Sequence, residues 1–347
     1  MRQLAALAVL AALLSACSEG ASLPDGAGYG PDPEIPKADY GWLPPIRIAN
    51  PTGWKTGQTP RTAPGLAVQP FATGLIHPRW LLVLPDGGVL VAEADGPPEP
   101  IKRPKDLVML AAMGHAKDWV KPPNRISLLR DRDGDGRAET RVTYIDRLEA
   151  PFGMALIGSD LYVADTGAVL RYRFVSGADR PAGRPTLVSR LPKGPINHHW
   201  TRGLVASPDG SKLYASVGAD SNVAENGLEY EADRAAILEI DPATGTRRVF
   251  ASGLRNPVGM DWNPRTGELW TVVNERDEIG DNASPDYITS VRPGGFYGWP
   301  WAYWGQHVDR RVRPANPAMV ARSIKPGQVE LKGEGGEMIL VAKRVEK

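Results

Sequence analysis

The chain has 347 residues, 41 basic and 40 acidic, for a formal charge of +1. That balance, without a long run of like charge, excludes a nucleic-acid binder as the first reading. A single cysteine, Cys17, excludes a disulfide framework within the chain.

Residues 1–17 carry one early Arg and then an apolar run too short for a stable membrane span, which reads as an export signal. Leu14-Ser-Ala-Cys17 fits a bacterial lipobox, so Cys17 is the expected lipidation site, with an ordinary signal peptide as the alternative. Ser18, rather than Asp, after that cysteine favours the outer membrane in a two-membrane cell. The expected place is therefore periplasmic and lipid-anchored, touching the membrane through that anchor only. Residues 18–65 are rich in Pro and Gly and read as a tether and lead-in. Residues 66–326 are expected to form one all-β domain, and 327–347 a divergent C-terminal tail.

Four phrases of strand, turn and strand recur: Pro78–Glu93, Pro151–Asp165, Arg202–Gly218 and Gly253–Asp281. Asp-Gly pairs between the strands predict two-residue hairpin turns, because such turns need positive φ. In the last phrase Leu269, Thr271 and Val273 alternate with Trp270 and Val272, the period of a half-buried strand. Further β runs follow: 124–130 and 140–145, then 169–174 and 186–190, then 236–245 and 247–250. Four strands repeated at a spacing of roughly 40–50 residues predict propeller blades. A β-sandwich is the alternative. Residues 95–123 sit inside the first unit as an insertion, with a short helix expected over Leu107–Met113.

Several residues could carry chemistry. His198 and His199 fall in the loop leading into the third unit's innermost strand, where a propeller opens its central channel. A histidine there can take a proton from a bound hydroxyl, or simply pack. Arg255 and Asn256 occupy the equivalent loop one unit later, and offer a planar fork and an amide to a carboxylate or developing negative charge. Glu275, Arg276, Asp277 and Glu278 follow that unit's second strand and could equally be a solvated loop. Asp131, Asp133, Asp135 and Glu139 have the alternating carboxylates that calcium prefers. Position 142 is Val where an EF-hand places a bidentate Glu, so calcium there would be structural. Trp299–Trp304 is the densest aromatic cluster, suited to a sugar or planar cofactor, or to packing between blades.

Taken together, His199-Trp-Thr-Arg-Gly-Leu204, Gly253-Leu-Arg-Asn-Pro-Val-Gly-Met260, Asn274–Asp281 and Gly295-Phe-Tyr-Gly-Trp-Pro300 resemble the soluble glucose/sorbosone dehydrogenases, nearest to sorbosone dehydrogenase-like proteins. The resemblance runs over about residues 65–325. It implies a six-bladed-type β-propeller using pyrroloquinoline quinone and calcium, with about four to five blades in this chain. By that resemblance His199 is the general base and Arg255 meets the quinone carbonyl, with Asn256 beside it. Glu275, Arg276 and Asp277 line the cofactor, and main-chain oxygens of that segment meet calcium. The implied reaction is oxidation of an aldose or aldehyde, sorbosone- or glucose-like, with a periplasmic electron acceptor. A metal-dependent lactonase and a non-catalytic binding propeller are the alternatives.

Overall fold

A computed structural model describes residues 57–97, 120–194, 197–280 and 283–327, with shorter pieces at 33–40, 52–55, 331–332 and 338–340 and single positions elsewhere. The expected signal segment with Cys17, most of the 95–123 insertion and nearly all of the tail lie outside the described residues.

Three four-stranded antiparallel sheets and one three-stranded sheet follow one another along the chain. The first runs β1 (Pro78–Val83), β2 (Val89–Glu93), β3 (Arg125–Arg130) and β4 (Thr140–Ile145). The second is β5 (Met154–Ile157), β6 (Asp160–Ala164), β7 (Ala168–Arg173) and β8 (Ala182–Arg190). The third is β9 (Leu204–Ala206), β10 (Leu213–Val217), β11 (Ala236–Ile240) and β12 (Arg247–Ser252). The fourth is β13 (Asn256–Trp262), β14 (Leu269–Asn274) and β15 (Tyr287–Ser290). The opening strands of consecutive sheets are neighbours, β1 with β5, β5 with β9 and β9 with β13, so they line the axis. The fold is a β-propeller, with four blades among the described residues.

Apolar faces of adjacent blades make the core, each sheet burying one face against the next. Leu90, Ile126 and Leu128 meet Met154, Leu161 and Val163. Ala164 and Val169 meet Leu213, Val217 and Leu238. Tyr214, Ile237 and Leu254 meet Leu269, Val273, Tyr297 and Trp304. Axis strands come close enough that Gly153 N donates to Arg202 O across two blades at 2.9 Å. A Cβ on Gly153 would lie 2.2 Å from Leu204 N, so only glycine fits there.

The alternation expected in β14 is what the structure shows: Leu269, Thr271 and Val273 are buried and the residues between them are not. The turns differ from expectation. Among the four expected hairpins, Gly158-Ser159 is the two-residue turn, since Ile157 pairs with Asp160. The Asp-Gly hairpins are longer, with Val83 paired to Val89 and Ala206 to Leu213. Their cause is Pro85 and Pro208, whose fixed φ starts a type I-like bend that Gly87 and Gly210 close at φ 82 and 70. The aspartates cap these bends, Asp86 Oδ1 accepting from Gly88 N at 3.1 Å and Asp209 Oδ1 from Ser211 N at 3.0 Å. The aromatic cluster packs: Tyr297, Trp299, Tyr303 and Trp304 are buried, with Trp304 edge-on to Tyr287 at 5.7 Å.

Candidate active site at the channel mouth

Loops leading into β9 and β13 and those leaving β10 and β14 all open on one face of the propeller. The turns after β1, β3 and β7 lie on the other face. There Arg130 pairs with Asp86 at 3.2 Å and donates to Ala178 O, and Gly177 N donates to Asp86.

Pairing of Asn256 with Asn274 puts Arg255 and Glu275 side by side just beyond the end of the β13–β14 ladder. Arg255 is 3% exposed, and its Nη1 donates to Glu275 O at 2.6 Å and to Asn274 O at 3.3 Å. Its Nη2 pairs with Asp277 Oδ2 at 2.5 Å. Arg255 O accepts from Ala219 N at 2.8 Å, tying the end of blade three to the start of blade four.

His199 and Asn256 meet across Gly218. A Cβ on Gly218 would stand 2.4 Å from His199 Cβ and 2.4 Å from Asn256 Oδ1, so the two side chains close on a residue that must lack one. His199 Nδ1 is 2.9 Å from Ala219 O. A carbonyl oxygen only accepts, so Nδ1 carries the proton and Nε2 keeps the lone pair. Burial, then the Arg255 charge, hold the His199 pKa well below its ordinary value, and the ring is neutral at physiological pH. His198 is exposed beside it.

Glu275 and Arg276 are buried rather than solvated. Burial raises the Glu275 carboxyl to about 7, against the pull of Trp304 N, Arg255 and Arg276 N. Arg276 Nε binds Asp309 Oδ2 at 2.5 Å, with both side chains 1% exposed. Asp277 faces solvent. Buried polar atoms without a hydrogen-bond partner include Arg255 Nε, Asn256 Oδ1 and both Arg276 Nη atoms. A planar polar ligand carrying carboxylates matches orphaned donors and an orphaned acceptor of this kind, and the residues fit pyrroloquinoline quinone in that sense.

Asp131, Asp133, Asp135 and Glu139 do come together: one oxygen from each lies within 4.8 Å of the others. They occupy the β3–β4 turn, on the face opposite His199. The loop is also self-capped, with Asp131 accepting from Gly134 N at 2.7 Å and Gly136 N at 2.8 Å.

Residues not singled out from sequence join the site from the segment between β10 and β11. Arg234 is buried and donates to Gly218 O, Ala219 O and Asn197 Oδ1. Glu231 accepts from Asp220 N at 2.7 Å and Ser221 Oγ at 2.8 Å, and burial raises it to about 7. From the loop before β9, Arg202 of the His199–Leu204 motif is fully buried and donates to His199 O at 2.8 Å. The one sequence signal for Arg234 is its position directly before the apolar run Ala235–Leu238.

Comparison with known proteins bears on the fold and the family. Residues 126–295 match the family model described as TrAA12-like. A curated aldose sugar dehydrogenase of Escherichia coli is 28% identical over 154 residues, covering 41% of this chain and 40% of that protein. The chain spans less than half the length of the curated relatives it matches. Among solved structures, a Trichoderma reesei protein of carbohydrate-active enzyme family AA12 superposes with TM-score 0.60 at 18% identity, covering 82% of this chain and 73% of that one. The pyranose dehydrogenase PQQ domain of Coprinopsis cinerea gives TM-score 0.58 at 16% identity, covering 77% and 68%. At such identities the structural likeness establishes the propeller fold. With the family match, it bears out the resemblance to the soluble sugar dehydrogenase propellers.

Proposed function

We propose that this chain is a quinoprotein dehydrogenase that oxidises an aldose or aldehyde, sorbosone- or glucose-like, with pyrroloquinoline quinone and calcium. The observation that carries the proposal is the meeting of His199, Asn256 and Arg255 around Gly218, drawn from two blades to one mouth of the channel. Matches to the TrAA12-like family and to the E. coli aldose sugar dehydrogenase support it.

Arg255, Asn256 and the Glu275–Asp277 segment would hold the cofactor. When bound, the quinone supplies an electrophilic carbonyl carbon able to accept hydride. His199 has the matching task at the substrate hydroxyl. The substrate gives up one proton with each hydride, and a neutral ring with its proton on Nδ1 takes it at Nε2. The low His199 pKa keeps that site free at neutral pH. Arg255 provides fixed positive charge where negative charge develops, without needing to reorganise. The working form would be exported and held to a membrane by lipid on Cys17, passing electrons to a periplasmic acceptor. Calcium at Asp131, Asp133, Asp135 and Glu139 would brace the opposite face.

A lactonase would need metal-binding carboxylates gathered in the channel, and the cluster of this kind found among the described residues lies on the other face. The test is reconstitution with the quinone and calcium, followed by dye reduction over a panel of aldoses and aldehydes. Reduction that falls about 10²- to 10⁴-fold in His199→Ala is expected. No reduction with any sugar, although cofactor binding is seen by fluorescence, would overturn the proposal.

A further inference from the structure

His199 is oriented by a backbone carbonyl, not by a carboxylate, and that carbonyl is itself held. Ala219 O takes His199 Nδ1 at 2.9 Å and Arg234 Nη2 at 3.2 Å. Arg234 Nε donates to Gly218 O at 3.1 Å, and Nη1 to Asn197 Oδ1 at 3.2 Å with Asp220 Oδ1 at 3.5 Å. Asn197 precedes His199 by two residues, and Gly218 is the residue on which His199 packs. One buried guanidinium therefore grips both the strand end that receives the imidazole proton and the loop that carries the imidazole.

A carbonyl oxygen has two lone pairs and can serve both donors. Its direction, unlike that of a carboxylate, is set entirely by the peptide plane. Ala219 O belongs to the Ala219–Asp220 peptide, whose N–H end goes to Glu231 at 2.7 Å but whose oxygen end lies past the end of β10, so the ladder does not fix it. The planar fork of an arginine does, through parallel contacts that an ammonium cannot reproduce. Burying this cation is costly unless its donors are met, and here they are met by the groups that frame His199. The charges facing the ring are Arg255 on the β13 side, His198 and Arg234, and Asp220 and Glu231 face Arg234 in turn. Arg202 holds the carbonyl of His199 itself.

We propose that Arg234 is a positioning residue for His199: it fixes the Ala219 carbonyl so that the ring keeps its proton on Nδ1 and presents Nε2 as the acceptor. The role given to Nε2 rests on the dehydrogenase reading, whereas the tautomer is testable without it.

The test uses the full chain, free of cofactor and labelled with ¹⁵N-histidine, with His199→Gln for assignment and long-range ¹H–¹⁵N spectra to read each tautomer. His307, whose Nδ1 lies 3.0 Å from Trp304 O, is the internal control. The native protein should show His199 wholly as the Nδ1–H form. Arg234→Met should give a mixture of tautomers while His307 is unchanged. Arg234→Lys should show a smaller share of the Nε2–H form, and it decides the matter alone should the Met variant fail to fold. A His199 spectrum identical to the native one in each variant that folds overturns the proposal. A failed dye assay would remove the dehydrogenase reading and leave this result standing.

Discussion

Replacing Glu275 with Gln should remove much of the protein's loss of stability between pH 5 and pH 8. Glu275 is 3% exposed, and burial raises its carboxyl from the ordinary 4.5 to about 7. The folded state therefore binds this proton more tightly than the unfolded chain. The stability it contributes is fully present below 4.5 and is lost as pH rises through about 7. A displacement of that size corresponds to about 3 kcal/mol. Gln keeps an acceptor for Arg276 N at 3.0 Å and Trp304 N at 3.4 Å but has nothing to ionise. Glu275→Gln should match the native protein near pH 5 and exceed it at pH 8 by up to about 3 kcal/mol. At about 2–4 °C per kcal/mol, that is roughly 6–12 °C in Tm. Thermal melts at both pH values, on cofactor-free protein in chelator, read it directly. Glu231, also raised to about 7, keeps a residual slope in the single variant that Glu231→Gln should reduce further. An undiminished slope in Glu275→Gln would refute the reasoning, because it would show that Glu275 is ionised in the folded protein at pH 5.

Asp309→Asn leaves Arg276 buried without its counter-charge and should cost about 3–5 kcal/mol in guanidinium unfolding. A loss below about 1 kcal/mol would mean that solvent reaches the pair. Calcium at a hundredfold excess over its Kd should stabilise the protein by about 2.7 kcal/mol, with the effect abolished in Asp135→Asn. Calorimetry with calcium and magnesium checks this, and equal heats for native and variant protein would place any binding elsewhere.

The strands were legible because their pattern is local. Leu269, Thr271 and Val273 alternate against a face that one neighbouring blade covers, and nothing distant is needed to see it. Turn lengths were less legible, since Asp-Gly marks a positive φ but Pro85 and Pro208 decide how many residues precede it. Strand β15 escaped notice altogether. Its four residues follow Ser-Pro-Asp and present only Tyr287 and Thr289 to the core, too short a run for periodicity to register.

The site divides along the same line. His199, Arg255 and Asn256 stand at the heads of strands that the pattern locates, so their convergence follows from counting blades. Arg234, Glu231 and Asp220 do not, because they sit in a polar stretch with the composition of a solvated loop. What buries Arg234 is the return of its side chain beneath Gly218 and Ala219, a contact 15 and 16 residues back that has no motif. Glu275 and Arg276 make the same point from the other direction. A run of four charges reads as surface until Trp304, 29 residues on, and Asp309, 33 residues on, close over its first two members. Burial of charge is a property of the neighbours that cover it, and here those neighbours are distant in sequence. The groups that set the protonation of His199 and Glu275 are therefore the part of the site that only the assembled blades reveal, and they are the part that the pH-dependent measurements address.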